Sequence, residues 1–506
     1  MKAYKKITVV GLAVLSMLSA FAQPAKKSKE QAKYNTPYDF NTMSPTVNPN
    51  YLPYNRWISP AGTQVYFGNP SDENHAMDVA LSPDGKWVAV EGRYEVVVLS
   101  AESGKLIDNL SMRVIIKGQN LMNTFSGINW LQENGTYKLY WGAVGNKSAS
   151  YVLSAVWDGK KLTGGEPVSF EKESPAATAL VNEVLVQNES GKNFLYVVLN
   201  GTNKVVKLDL SAKNKVWTSG VGVAPFGITQ ANGKIYVTNW AGSNPGQGDV
   251  NVAGVPWGSA KVDPRTGATR EGTVSVLDPV TGKVMKEITV GLHPNDVIAS
   301  ADGNFVFVAC ANSDCVQAIS TSDDEVSEVI PVRLKAEKNP FWGDSPNGLG
   351  LSNDGKTLFV ANGHDNALCV VTLGKKSGGS SAENESKITG FIPTGAYPGA
   401  VLQVNNQLFV ANIEGESAKI PSKEAGSGRV SYNSHRQTAS VSVIQTPNAK
   451  QLKDYTKTVE ESNQLFRLAL LEKMPRKNIA PVCVPERIGE PSVFKHVLYI
   501  IKENRT

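Results

Sequence analysis

Apolar and polar residues alternate with period two through most of the chain, and the alternation is rewritten as a repeating unit. The clearest copy opens at His293-Pro294-Asn295-Asp296, runs through VIASADG to Gly303 and FVFVA to Ala309, crosses a polar loop, and ends on Val316 to Ile319. About 50 residues later the same order returns as Ser345-Pro346-Asn347-Gly348, LGLSNDG to Gly355, TLFVAN to Asn362, a loop, and LCVVT to Thr372. The core phrase recurs as LYVVLN ending at Asn200, IYVTN at Asn239, LFVAN at Asn412 and, more loosely, WVAVE at Glu91 and LYWGA at Ala143. With Cys310 in the asparagine place there are seven copies. Each is rich in Val, Ile, Tyr and Phe and is cut by turn pairs such as Asp84-Gly85, Asn232-Gly233, Asp302-Gly303 and Asp354-Gly355, the signature of β-hairpins.

One four-stranded sheet cannot bury two apolar faces, whereas sheets packed radially about an axis can, and they expose only short edges. The pattern therefore predicts an all-β, seven-bladed β-propeller over residues 62–446, with Thr63 to Gly68 (TQVYFG) supplying a strand that completes the last blade. Three insertions, Ala241 to Gly272, Gly374 to Ser386 and Glu414 to Ala439, carry the Gly, Ser, Asn and Pro of surface loops, either decoration or ligand-contacting lids. After Gln445 the period changes: Leu452, Tyr455, Val459, Phe466 and Leu470 stripe one face of a helix that Met474-Pro475 ends. Residues 447–493 thus read as a helix followed by a linker marked by Pro481, Pro485 and Pro491. The run VLYII from Val497 reads as a buried strand opening an α/β sheet, with a polar cluster at its carboxyl end.

The first residues carry Lys2, Lys5 and Lys6, an apolar stretch from Ile7 to Leu18, and Ala20-Phe21-Ala22 before Gln23. This is the form of a secretory signal peptide, 1–22, and it predicts export to the periplasm or the extracellular space. Residues 23–61 then form an extension ahead of the propeller, and the apolar stretch is shorter than the roughly 20 residues a bilayer span needs. Loss of those three lysines lowers the formal net charge from +5 to +2, so nucleic acid is not an implied partner. Four cysteines are too few for a disulfide framework; Cys310 and Cys315 flank a short turn and read either as a bridge or as two buried thiols.

IYVTN, Ile235 to Asn239, resembles the signature of the YVTN-repeat β-propeller proteins, and the resemblance covers roughly Gly62 to Gln445. It implies a fold, since such propellers serve as binding platforms, surface-layer modules and occasionally enzymes. KHVLYIIKENRT, with PERIGEPS before it and LPYNRWISPAG (Leu52 to Gly62) at the other end, resembles propellers fused to phosphoesterases of the alkaline-phosphatase superfamily, the group of bacterial acid phosphatases and phospholipases C. That resemblance implies that 494–506 begin a truncated phosphoesterase domain, the partner of the propeller. It also implies that Glu503 and Asn504 lie at a divalent metal ion, oxygen ligands suited to a hard cation that polarises a phosphoryl oxygen. The remaining metal ligands and the nucleophile would lie beyond Thr506, leaving this chain alone inactive as a hydrolase.

Within the propeller no cofactor is evident, and no G-x-S-x-G, H-E-x-x-H or Walker pattern occurs. Its candidate chemistry lies where the innermost strands begin: His293 and Asp296, matched in the first blade by His75 and Asp78. Imidazoles and carboxylates at one mouth of the channel suit cation binding or acid–base work, while the neighbouring Pro and Gly equally suit strand geometry. His364 and His435 fall in polar loops and read as solvated surface. Three functions remain open: an exported propeller–phosphoesterase, a non-enzymatic cell-envelope binding protein taking a small ligand or protein on its face, and a propeller enzyme such as a lactonase or quinoprotein-like oxidoreductase.

Overall fold

All seven core phrases become the second strand of an antiparallel sheet: Trp87–Gly92, Thr136–Val144, Lys192–Leu199, Lys234–Asn239, Phe305–Cys310, Thr357–Asn362 and Gln407–Gly415. The computed structural model describes residues 51–52, 56–125, 127–255, 258–374, 385–417, 422–423, 430–431 and 436–500. Two units divide the chain, Met1–Asn48 and Pro49–Thr506, and the described residues all belong to the second.

Inside each second strand lies an inner strand: Ala76–Leu81, Asn129–Glu133, Val181–Glu189, Pro225–Ala231, Pro294–Ala299, Pro346–Leu351 or Ala396–Val404. These seven follow one another around an axis, and Ala396–Val404 meets Ala76–Leu81 to close the ring. The sheets are the blades of a β-propeller, numbered 1 to 7 in that order. Blade 2 is the irregular one, a sheet of six short or long strands where the others have four.

Period-two alternation on a strand with both faces buried explains why the second strands are apolar at nearly every position. Leu358 and Val360 turn toward blade 5, while Phe359 and Ala361 turn toward blade 7. Leu195 and Val197 pack on blade 2, while Tyr196 and Val198 pack on blade 4. Among the described residues each of the seven blade-to-blade interfaces holds its own apolar cluster. The core is thus divided into seven radial wedges, as expected when every sheet must bury both faces.

Thr63–Phe67 pairs with Ala439–Gln445, from Thr63 opposite Val443 to Phe67 opposite Ala439. The strand expected from TQVYFG is therefore the outermost strand of blade 7. It closes the ring by joining the beginning of the propeller to its end.

Helix α1, Ala449–Ser462, starts with a capping box in which Asn448 and Gln451 bond each other's backbone N–H groups. Leu452 and Tyr455 press on blades 6 and 7 and Val459 on the wedge between blades 5 and 6, and the Phe391 N–H donates to Thr456 Oγ1. Gly390 permits this approach, because a Cβ there would stand 2.7 Å from both Leu452 Cγ and Thr456 Oγ1. Gln464, in the left-handed region at φ 57°, breaks the helix before the short turns at Leu465–Arg467 and Leu468–Leu471. The Pro-rich segment that follows is looped back by Arg476, whose guanidinium grips the Glu490 carboxylate at 2.7 and 2.9 Å.

The strand expected from Val497 does not form over the described residues. Positions 494–500 carry no ladder, and Val497 and Leu498 are 87% and 85% exposed. A strand is stable only against a neighbour that takes its N–H and C=O groups, and among the described residues none pairs with these. The four cysteines are free thiols, with Cys310 and Cys315 directly opposite across neighbouring strands. No described helix is long and apolar enough to cross a membrane.

Candidate binding cavity at the propeller axis

Inner strands of six blades begin with an irregularity in register, between Ala76 and Asp78, Val181 and Val184, Pro225 and Ile228, Pro294 and Val297, Pro346 and Leu349, and Ala396 and Ala400. In five of them the residue ahead of the bulge is a non-glycine in the left-handed region: Leu180 (φ 46°), Ala224 (54°), His293 (54°), Ser345 (56°) and Tyr397 (54°). A bulge re-aims the side chains it contains. Repeated around a ring, it turns one or two side chains per blade toward the axis.

These side chains bound a cavity of about 450 Å³ at one end of the channel. His75, Asp78, His293 and Asp296, the four candidates at the channel mouth, all line it. Glu183 lines it as well, a residue the repeat pattern does not single out, because blade 3 lacks the proline that marks blades 4 to 7. The signal was present in Val181-Asn182-Glu183-Val184, which aligns with Pro294-Asn295-Asp296-Val297.

Each of the three axial carboxylates ties its own blade to the next. Asp78 Oδ2 accepts the N–H groups of Gly127 and Ile128 at 2.9 and 3.1 Å, and Asp296 Oδ2 accepts that of Leu349 at 2.7 Å. Glu183 accepts from the Ile228 N–H. The carboxylates therefore have structural work whatever else they do. Their environment nevertheless leaves them short of positive charge. Burial within the channel and the Asp78 carboxylate push Asp296 up to about 7. Burial also raises Asp78, despite the three backbone N–H groups that favour its charged form. Glu183 is pushed well above the usual carboxylate range by burial and then by Asp296 and Asp78. Behind them Glu91, fully buried in the second strand opposite Asp78, is raised well above its ordinary value by burial and then by Asp78, and neither carboxyl oxygen has a partner among the described residues.

One wall of the cavity is aromatic. Phe226 stacks on Trp240 at 4.5 Å and 21°, and Trp240 stacks on His293 at 4.5 Å and 26°. Burial lowers the affinity of His293 for a proton, so its imidazole stays neutral near pH 7. His75 is held differently, with Nδ1 2.7 Å from the Ile413 carbonyl and Nε2 3.3 Å from Glu73, which also pairs with Arg93.

Among the described residues no group of three or more His, Cys, Asp or Glu side chains is placed to hold a metal ion. Glu503, Asn504 and His435 lie outside the described residues. His364 is exposed, with Nδ1 2.7 Å from the Gly343 carbonyl, and stands outside the axial cavity.

No family model matches the chain, and no curated protein matches it. Solved structures do. U3-55K aligns over 76% of this chain and 100% of its own at 9% identity and a TM-score of 0.51. The RRP9 WD40 repeats align over 76% and 99%, at 9% identity and 0.50. Hydrazine synthase of Kuenenia stuttgartiensis aligns over 74% and 97%, at 14% identity and 0.49. At such identities the likeness concerns the fold alone.

Proposed function

We propose that the propeller is the ligand-binding platform of an exported protein and that its binding site is the axial cavity. The observation that carries this reading is the convergence, in one 450 Å³ space, of side chains delivered by the same bulge in different blades. That volume lies in the range of small-molecule sites, which are concave, largely apolar and fitted with a few convergent polar groups. Export rests on the charged, apolar and small-residue order of the first 22 positions. A ligand saturating the cavity at about 100 times its Kd stabilises the fold by about 2.7 kcal/mol. A small-molecule screen by thermal shift on the whole chain is expected to return compounds whose effect disappears in Trp240→Ala. If every hit acts equally on wild type, on Trp240→Ala and on a His75→Ala/His293→Ala variant, the cavity is not the site.

A second reading places this platform ahead of a metal-dependent phosphoesterase, with Glu503 and Asn504 at the divalent ion. One structural observation favours it: Val497, Leu498, Tyr499 and Ile500 form an apolar run that is at least 77% exposed throughout and has no ladder partner. Such a run suits a strand awaiting a sheet. Reading the gene past codon 506 and assaying the encoded protein on a phosphate ester with added divalent metals tests this. A stop codon there, or a longer protein inert with every metal, removes it.

A further inference from the structure

The chemistry of the cavity wall narrows what it can hold. Its charged lining consists of Asp78, Glu183, Asp296 and, at the rim, Glu414, with no lysine or arginine among the described lining residues. An anion would meet only like charge there. A metal ion has no cluster of described ligands placed for it.

Two further observations point to a donor. Asn295 lines the cavity, is only 4% exposed, gives its Nδ2 hydrogen to Asn347 Oδ1 at 2.8 Å, and leaves its Oδ1 without a partner among the described residues. A buried acceptor left unpaired costs about 1–3 kcal/mol, which a ligand N–H would recover. The Phe226–Trp240–His293 stack presents aromatic surface beside the carboxylates. That surface suits the apolar or aromatic part of a ligand whose polar end faces the carboxylates.

Resting on the reading of this cavity as a binding site, we propose that its occupant is a small organic ammonium ion, a protonated amine carrying an apolar or aromatic group. The ammonium N–H groups bond Asn295 Oδ1 and the axial carboxylates, while the organic part lies against Trp240 and Met77. The elevated proton affinities of Asp78, Glu183 and Asp296 fit this assignment, because they arise first from burial and, for Glu183 and Asp296, from neighbouring carboxylates, both of which a bound cation offsets. Binding of the cation releases protons from these groups. The other titratable groups facing them are Glu91 behind Asp78, the two histidines His75 and His293, Tyr397 and Glu414.

Isothermal titration of the whole chain with three probes of one shape tests the proposal: 2-phenylethylammonium, neutral 2-phenylethanol and anionic phenylacetate. At pH 8 the ammonium is expected to bind at least tenfold tighter than the alcohol, and phenylacetate not at all. The ammonium should lose affinity at pH 5.5, where Asp296, raised to about 7, keeps its proton. Asp296→Asn retains an acceptor for the Leu349 N–H, so the blade tie survives, and Glu183→Gln is its counterpart in blade 3. Each is expected to weaken the ammonium about tenfold and leave the alcohol unchanged. If the alcohol binds as tightly as the ammonium, or both amide variants bind the ammonium as wild type does, the charge assignment is wrong. Should Trp240→Ala still abolish binding in that case, the cavity stands as a site for a neutral ligand. Binding by none of the probes overturns the assignment and counts against the cavity as a small-molecule site.

Discussion

Asp296 shows how one residue can serve the ring and the space inside it. Its carboxylate bonds the next blade while burial and the neighbouring Asp78 raise it from an ordinary 3.8 to about 7. A carboxyl group raised on folding stabilises the protein fully below its unfolded value, and that stability is lost as pH climbs toward the folded value. Unliganded protein is therefore expected to melt at lower temperature at pH 8 than at pH 5, the loss falling between about pH 4 and 7 for this group. Asp296→Asn should flatten that dependence in a calorimetric pH series; an unchanged slope would show that Asp296 does not titrate in this window. The role was half legible in the sequence. The Pro-Asn-Asp-Val phrase placed Asp296 at the channel, but Glu183 sat behind Val181 where the Asp296 repeat has Pro294. That carboxylates from blades 1, 3 and 5 would repel one another across a shared space was not legible, since alternation along a strand says nothing of distances across a ring.

At the scale of elements, strands and helix were readable because their periods differ, two against 3.6, and each had a surface to bury. Val459 is 1% exposed, as the apolar stripe of the helix required. The helix ended earlier than the stripe suggested, since Phe466 and Leu470 lie beyond the left-handed turn at Gln464. The segment near Val497 shows the limit of the same logic, because an apolar run specifies a strand only where a neighbour exists to complete it. Downstream of the helix, charge pairing replaces packing. Arg476 draws the Glu490 carboxyl down to about 2, so this staple is intact at neutral pH and is lost only in strong acid. Arg476→Ala is expected to free residues 477–490 to limited proteolysis without shifting the main melting transition; cleavage at the wild-type rate would mean that the loop is held by other contacts. Its guanidinium is partly exposed, which keeps the global effect small.

For the whole molecule the decisive bond is the pairing of Thr63–Phe67 with Ala439–Gln445. Phe67 is 8% exposed in the wedge between blades 7 and 1, so Phe67→Ala is expected to cost about 3–5 kcal/mol by chemical denaturation. A cost well under 1 kcal/mol would show that the ring holds without this clasp. Blade number followed from counting seven phrases, whereas the loosely matching LYWGA of blade 2 gave no warning of its extra strands. The clasp also sets a timetable. Residues near position 63 are made well before their partner near 443, and a ribosome adding about 5–20 residues per second takes tens of seconds to cover the interval. Through that time the strand exists as an unpaired edge, the form in which β-segments seek partners in other chains. Interrupted synthesis thus leaves a product that is sticky at its oldest end, and holding that end apart from its neighbours becomes a task for whatever receives the nascent chain.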